Sequence, residues 1–320
     1  MNEKAFHPDL VGRTIFLTGA SGFIGSHLLK RLTKEGCEVH ISVRKSSSLW
    51  RIEDVVDNCI CHTIDLTDSD GVKSSIKKIK PAIIFHLAAY GVDYRKQNIH
   101  QAVDVNINAS VNLFESFLEN RGFRFVHTGS CFEYGYKNTP ISEEDLPNPT
   151  SVYGITKAAA VQLLSLMSKQ SQHGNLVILR PFGIFGELEG IHRFFPQVID
   201  KLSRCLTVQI TGGEQVRDYI YVEDLIDAYL MAAVVPVQNR VEIINIGSGK
   251  GITLKEIALC IAKQLGANEN LLQFGAIPYR PDEMMYLVAN IEKAKGILGW
   301  KPKTSLEKGI ENMIRGYKRK

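Results

Sequence analysis

Residues 18–25 read Thr18-Gly-Ala-Ser-Gly-Phe-Ile-Gly25, and the way they fold sets the architecture of the chain. Ahead of them lies a short apolar run, Arg13–Leu17, and behind them a stretch of helical periodicity, Gly25–Glu35. The glycines at 19, 22 and 25 have the spacing GxxGxxG. In a tight turn from strand to helix, glycine allows the bend, close approach of a ligand to the backbone, and close packing of helix on strand. The start of the helix presents unpaired N–H groups and the positive end of its dipole, a seat for phosphate. In that setting the triplet predicts a dinucleotide-binding βα unit, with Gly19, Ser21, Gly22, Phe23, Ile24 and Gly25 around a pyrophosphate. The competing reading is a plain tight turn.

Working outward, strand-like runs recur at Glu38–Val43, Ile60–Asp65, Ala82–Leu87, Arg124–Thr128, Leu176–Arg180 and Glu242–Ile246, with helical stretches at Val103–Glu119 and Tyr153–Lys169. Several strands are continuous apolar runs, as a sheet covered on both faces requires. The alternation predicts an α/β fold with a Rossmann-type doubly wound parallel sheet. After Arg180 the rhythm changes to glycine, proline and charge, with helical pieces at Phe195–Arg204, Leu254–Leu265 and Ile291–Leu298. Residues 1–180, with a return segment near 218–247, are expected to form the dinucleotide-binding domain. Residues 181–217 and 248–320 are expected to form a smaller C-terminal substrate-binding domain.

Composition excludes several classes. Of 320 residues, 44% are hydrophobic, enough for a sizeable core, and the formal charge of +4 is too small and dispersed to argue for a nucleic-acid partner. The first ten residues are polar and do not read as a signal peptide, and the longest apolar stretch, Ala228–Val237, is too short to span a bilayer. The basic end, Lys318-Arg319-Lys320, reads as a solvated tail. Six scattered cysteines point to reduced thiols in a cytoplasmic protein, and no His or Cys spacing fits a metal site.

The end of the second strand discriminates between dinucleotides. An acidic residue there holds the ribose hydroxyls of NAD. This chain instead reads Arg44-Lys45-Ser46-Ser47-Ser48. A guanidinium forks onto a phosphate and serine hydroxyls donate to its oxygens, so NADP(H) is expected, with NAD the alternative. The competing reading is a solvated basic turn. Asp65 and Leu66 close the third strand near the expected adenine, and Leu87, Ala88 and Ala89 leave room beside the fourth for the cofactor backbone.

Tyr153-Gly-Ile-Thr-Lys157 places a phenol and an ammonium four residues apart on one helix face. A free phenol titrates near 10, and an adjacent cation favours its ionised form, which predicts a phenol tuned toward working pH for proton transfer. Surface helices also produce this spacing by chance. Its place after the fifth strand, downstream of a dinucleotide loop, favours chemistry.

Taken together, the chain resembles the extended short-chain dehydrogenase/reductase family, and within it the group of nucleotide-sugar epimerases, dehydratases and 4-ketoreductases. The resemblance runs from about Arg13 to Arg315. It is carried by Thr18–Gly25, Asp65-Leu66, His86–Ala89, Val105-Asn106, Ser130 with Tyr134-Gly135, Tyr153–Lys157, Arg180-Pro181-Phe182, Arg217–Asp224 and Leu298-Gly-Trp-Lys-Pro302. It implies that Ser130, Tyr153 and Lys157 form the catalytic set, with Ser130 on the substrate oxygen, Tyr153 exchanging its proton and Lys157 on the nicotinamide ribose. It also implies Asn106 beside the cofactor, Tyr90 at the substrate, Arg217 and Arg280 clamping the diphosphate of a nucleotide sugar, and a homodimer. For each arginine a surface ion pair competes, for Arg217 with Asp218 or Glu214.

The stretch Thr128-Gly-Ser-Cys-Phe-Glu-Tyr-Gly135 then narrows the reaction. Related 4,6-dehydratases carry Asp-Glu directly after the catalytic hydroxyl residue, and the decarboxylases keep the Glu. Here those positions are Cys131 and Phe132, neither a carboxylate base. If the segment is extended, Glu133 points to the opposite face and reads as a structural carboxylate. Cys131 reads as a buried filler or a weak acid near the sugar. Two reactions remain: NADPH-dependent reduction of the C4 keto group of a nucleotide-linked 4-keto-6-deoxyhexose, favoured by the Arg44 turn, and 4-epimerisation of a nucleotide sugar with tightly bound NAD(P). A non-enzymatic protein on the same fold is the rival from another class, and the intact Ser130, Tyr153 and Lys157 argue against it. One departure stands out: many relatives have Asn after Arg-Pro-Phe, and this chain has Gly183.

Overall fold

The computed structural model describes residues 8–91, 98–280 and 283–317. The basic tail at 318–320, most of the first ten residues, and parts of the expected substrate loops at 92–97 and 281–282 lie outside the described residues. In chain order the strands are β1 (Thr14–Thr18), β2 (Glu38–Val43), β3 (Ile60–Thr63), β4 (Ile83–His86), β5 (Arg124–Thr128), β6 (Asn175–Pro181), β7 (Gly183–Phe185), β8 (Val208–Ile210), β9 (Val216–Arg217), β10 (Tyr219–Tyr221), β11 (Val241–Ile246), β12 (Ile252–Thr253), β13 (Leu272–Phe274) and β14 (Tyr286–Leu287). The α-helices are α1 (Phe23–Lys34), α2 (Ser69–Ile79), α3 (Ile99–Val103), α4 (Ala109–Glu119), α5 (Val152–Gln170), α6 (Phe194–Ser203), α7 (Val222–Val234), α8 (Leu254–Leu265), α9 (Glu292–Leu298) and α10 (Leu306–Tyr317).

Seven strands form one parallel sheet in the order β11-β6-β5-β4-β1-β2-β3. The chain runs outward from β1 to β3, then returns to β4 and runs the other way. The crevice at the carboxyl ends of β1 and β4, where the order reverses, is where such sheets bind ligands. Each strand feeds both faces. Ile15 and Leu17 pack with Leu28 and Leu32 of α1 and Leu225 and Tyr229 of α7. Phe16 and Ile84 face Val72 and Ile76 of α2, Phe114 and Phe117 of α4 and Leu164 of α5. Burying both faces of the strands explains why their sequences are continuously apolar. A further buried cluster joins α6, α8 and α10 through Phe195, Ile199, Ile257, Ile261, Ile310 and Ile314.

The seven expected strands all lie in this sheet. Helices α2, α7 and α10 were not singled out by sequence periodicity. In α7, nine of thirteen residues are buried, so no one-sided stripe marks it. The expected single helix over 103–119 is broken: α3 passes through a π-helical turn, Asp104–Asn108, before α4. That turn carries Asn106, and such insertions recur where a helix must re-aim a side chain. Among the described residues, no helix is long and apolar enough to cross a membrane, and no group of three His, Cys, Asp or Glu gathers to hold a metal. All six cysteines are free.

Candidate active site

The glycine loop builds the first part of the site. Gly19 adopts a φ of 73°, and a Cβ on it would lie 2.8 Å from the Ala88 nitrogen; a Cβ on Gly25 would lie 2.1 Å from the Gly19 oxygen. Helix α1 therefore starts hard against β1 and β4. Its cap, Gly22, offers no side-chain acceptor, and no acidic residue stands in its first turn. The N–H groups and positive dipole end are left for a ligand, and a pyrophosphate-bearing dinucleotide fits that chemistry.

Beneath the loop runs a buried hydrogen-bond chain. Ser110 donates to the Asn106 carbonyl (2.7 Å), so its oxygen accepts from His86 Nε2 (2.9 Å), and His86 Nδ1 accepts from Thr18 Oγ1 (2.7 Å). Thr18 Oγ1 in turn accepts from the N–H groups of Leu87 and Ala88, each at 3.2 Å. Burial and the nearby Lys157 hold His86 down to about 3, so it stays neutral as a connector. The Asn106 amide bonds both backbone groups of Tyr90 (2.8 and 2.9 Å) and Thr156 Oγ1 (2.9 Å). Asn106 and Tyr90 thus tie the β4 loop to α5.

At the end of β2, Arg44, Lys45 and Ser46 are exposed around a turn in which the Arg44 N–H donates to Ser47 Oγ (2.9 Å). Asp65 stands across from it, also exposed, its carboxyl held below the usual range by Thr67 and, to a smaller extent, by Arg44. Leu66 is half-buried against the α2 and α4 side of the core.

After β5 the chain does not extend, contrary to the expectation for Glu133. Residues Cys131–Glu133 form a 3₁₀ turn capped by Ser130. The Ser130 oxygen accepts from Phe132 N–H (3.2 Å), while Glu133 Oε1 accepts from Ser130 N–H (2.7 Å). This capping box satisfies two donors reciprocally. Glu133 is fully buried, and its other oxygen accepts from Arg180 Nε (2.8 Å) and its neighbouring NH2 (2.7 Å). Burial pushes the Glu133 carboxyl up and the Arg180 guanidinium pulls it back. Arg180 also donates to Tyr134 Oη (2.7 Å), which donates to Asn245 Oδ1 (2.8 Å). Glu133 is therefore a structural carboxylate. Cys131 is buried, and loss of solvation pushes its thiol up to about 12.

Helix α5 reaches this turn because Gly154 has no side chain: a Cβ there would lie 2.5 Å from the Phe132 oxygen. Tyr153 then comes close to Ser130, and Phe132 packs edge-on against its ring, centroids 6.2 Å apart. Burial raises the Tyr153 phenol above its ordinary value, and the Ser130 hydroxyl opposes that rise. The expected pull of Lys157 is thus not what sets the phenol here. The ammonium points to His127 Nε2 (3.3 Å), and burial brings it down to about 8, with Glu133 acting the other way. His127, held far below its ordinary value by burial, leaves its Nδ1 without a partner among the described residues.

The substrate side is looser. Arg217 pairs with Glu283 (2.6 Å), not with Asp218 or Glu214. Asp218 instead accepts from Ser248, Gly249 and Ala289, and Glu214 from Tyr279. Arg280 is exposed. At Gly183 a Cβ would lie 2.5 Å from Tyr219 Cδ1, so the Tyr219 ring excludes any side chain at this position, the expected Asn included. Several residues here had no mark in the sequence: His127, Glu189, and Arg51, which bonds the carbonyls of Leu188 (2.9 Å) and Ser21 (3.4 Å). Their roles come from neighbours far along the chain, which a local motif does not display.

Residues 15–247 match the model of the NAD dependent epimerase/dehydratase family. A CDP-abequose synthase of Salmonella typhimurium is 28% identical, over 94% of this chain and 97% of that protein. A dTDP-4-dehydro-6-deoxyglucose reductase of Escherichia coli is 26% identical, over 95% and 97%. Among solved structures, a UDP-glucose 4-epimerase of Thermotoga maritima with UDP-glucose superposes with a TM-score of 0.87 at 26% identity, covering 95% of this chain and 98% of that one. The chain belongs to the NAD dependent epimerase/dehydratase family.

Proposed function

We propose that this member of the family is an NADP(H)-dependent reductase of the C4 keto group of a nucleotide-linked 4-keto-6-deoxyhexose. The observation that carries the reading is the turn at Ser130. The Ser130 hydroxyl acts on the Tyr153 phenol, holding it down against burial, while the ring packed against the phenol is Phe132 rather than a carboxylate. Elimination or decarboxylation would need a free base, and the one carboxylate of this turn, Glu133, is held by Ser130 and Arg180. The likeness to a 4-dehydro-6-deoxyglucose reductase supports the same reading.

A nicotinamide dinucleotide, when bound, supplies the hydride. The residues that would hold it are those of the glycine loop, Asn106, Lys157 and the small residues after β4, with Arg44, Lys45 and Ser46 placed for a 2′-phosphate. Ser130 donates to the substrate carbonyl oxygen and polarises it, and Tyr153 delivers its phenolic proton to the same oxygen as charge develops. A phenol held protonated by burial suits a proton donor. Lys157, which burial brings down to about 8, would stabilise by its charge the phenolate left behind.

Residues 181–217 and 248–320 would hold the nucleotide, with Arg217 released from Glu283 to the diphosphate and Arg280 and Tyr90 nearby. Exposed Ile155, Leu163 and Leu166 on α5 support pairing with a second copy as a homodimer. A reducing, cytoplasmic compartment suits the six unpaired cysteines. The second reading is a 4-epimerase, favoured by the similar likeness to a UDP-glucose 4-epimerase. Incubation with NADPH and a 4-keto-6-deoxy sugar nucleotide should consume the reduced cofactor, seen as loss of its absorbance. No consumption, with interconversion of a UDP-hexose in the absence of added cofactor, would replace this reading with the epimerase.

A further inference from the structure

One buried carboxyl takes no part in the catalytic turn or the cofactor seat. Glu189 lies in the segment between β7 and α6, and its side chain is only 7% exposed. Oε1 stands 3.7 Å from Arg193 Nε, a loose pair with a guanidinium 47% exposed. Oε2 is buried and has no hydrogen-bond partner among the described residues. Buried polar atoms in native proteins are almost always satisfied, and one that is not calls for a ligand or an ordered water.

Its surroundings say which. The segment is pinned on one side to the glycine loop, because Arg51 bonds both the Leu188 and the Ser21 carbonyls. On the other side Glu189 and Arg193 lie within charge range of Tyr219, and Arg193 also within range of Tyr153. Glu189 is therefore linked to the reacting phenol through Arg193, and it shares the neighbourhood of Tyr219. The Tyr219 ring over Gly183 removes any side-chain amide from that position, and Glu189 is the nearby carboxyl with an oxygen left to pair among the described residues. Burial pushes its carboxyl up to about 8, with Arg193 opposing. Near neutral pH the group is a protonated acid, able to donate and accept at once. A hydroxyl matches that pattern, whereas an apolar group leaves the acid unpaired.

We propose that Glu189 contacts a hydroxyl of the bound nucleotide sugar directly and determines specificity for the sugar ring. This rests on the nucleotide-sugar reading above. The test is calorimetric titration of wild type, Glu189→Ala and Glu189→Leu with UDP-glucose, dTDP-glucose, the matching free diphosphates and NADPH. In the variants, affinity for the nucleotide sugar that wild type binds best should fall at least tenfold, while affinities for its diphosphate and for NADPH stay within twofold. Unchanged nucleotide-sugar affinity would overturn the assignment, as would an equal loss for the diphosphate or NADPH, which would put the contact elsewhere. If one variant loses NADPH binding through misfolding, the other variant decides between these outcomes. A wild type that binds neither nucleotide sugar would instead overturn the nucleotide-sugar reading itself, and this assignment with it.

Discussion

At the Ser130 turn the polar groups are engaged before any ligand arrives. Ser130 and Glu133 cap one another, Glu133 holds Arg180, and Arg180 holds Tyr134 and through it Asn245. Across the cleft, Arg217 rests on Glu283 at the edge of the described residues, and Glu189 keeps an oxygen without a partner. The first region is preorganised, so its geometry costs nothing to assemble during reaction. The second holds pairs that a ligand can exchange, as a region selecting among substrates requires. The contrast separates how the reaction is done from what it is done to.

The comparison is broken most severely at the phenol. Tyr153→Phe should lower kcat by about a thousandfold or more while NADPH affinity measured by fluorescence is unchanged. Comparable activity would remove Tyr153 from the chemistry. Next, Glu133→Ala leaves the Arg180 guanidinium buried and unpaired, which should cost about 3–5 kcal/mol in chemical denaturation. Substituting Glu283, whose partner Arg217 is partly exposed, should cost about 1 kcal/mol or less. Equal losses would erase the distinction between the two regions. Arg44→Asp should cut the preference for NADPH over NADH by about tenfold or more in paired binding titrations, and an unchanged ratio would return the basic turn to a solvated role.

The remaining effect concerns Lys157 and pH. Folded, its ammonium titrates near 8; unfolded, near its ordinary 10.5. Between those values the unfolded chain binds more protons at this site, so the site's contribution to stability rises with pH. The unfolding free energy of wild type relative to Lys157→Met should therefore shift in favour of wild type from pH 8 to 10. A flat difference would mean that burial does not govern this lysine.

The strands were legible because burying both sheet faces writes continuous apolar runs into the sequence, and the glycine loop because its backbone geometry admits few residues. Tyr153 and Lys157 were legible as a spacing on one helix face. The Glu133 geometry was not. The turn after β5 reads as an extended continuation, and only the arrival of Arg180 from β6 makes a buried carboxylate there tolerable. That the lysine does not set the resting phenol has a similar reason: spacing places two groups on one face but does not reveal that His127, from β5, receives the ammonium.

What the amino-acid sequence determined by itself was therefore the doubly wound sheet, the tight glycine turn between β1 and α1, and the helix face that carries Tyr153 and Lys157, all properties of short segments with their own local physics. The tertiary structure alone decided the state of those groups. Whether a carboxyl pairs with Arg180 or stands open beside Arg193, and whether Gly183 faces a ligand or the Tyr219 ring, depends on burial and on charges brought together from distant strands. Desolvation and Coulomb interactions act through space, and no local pattern encodes them.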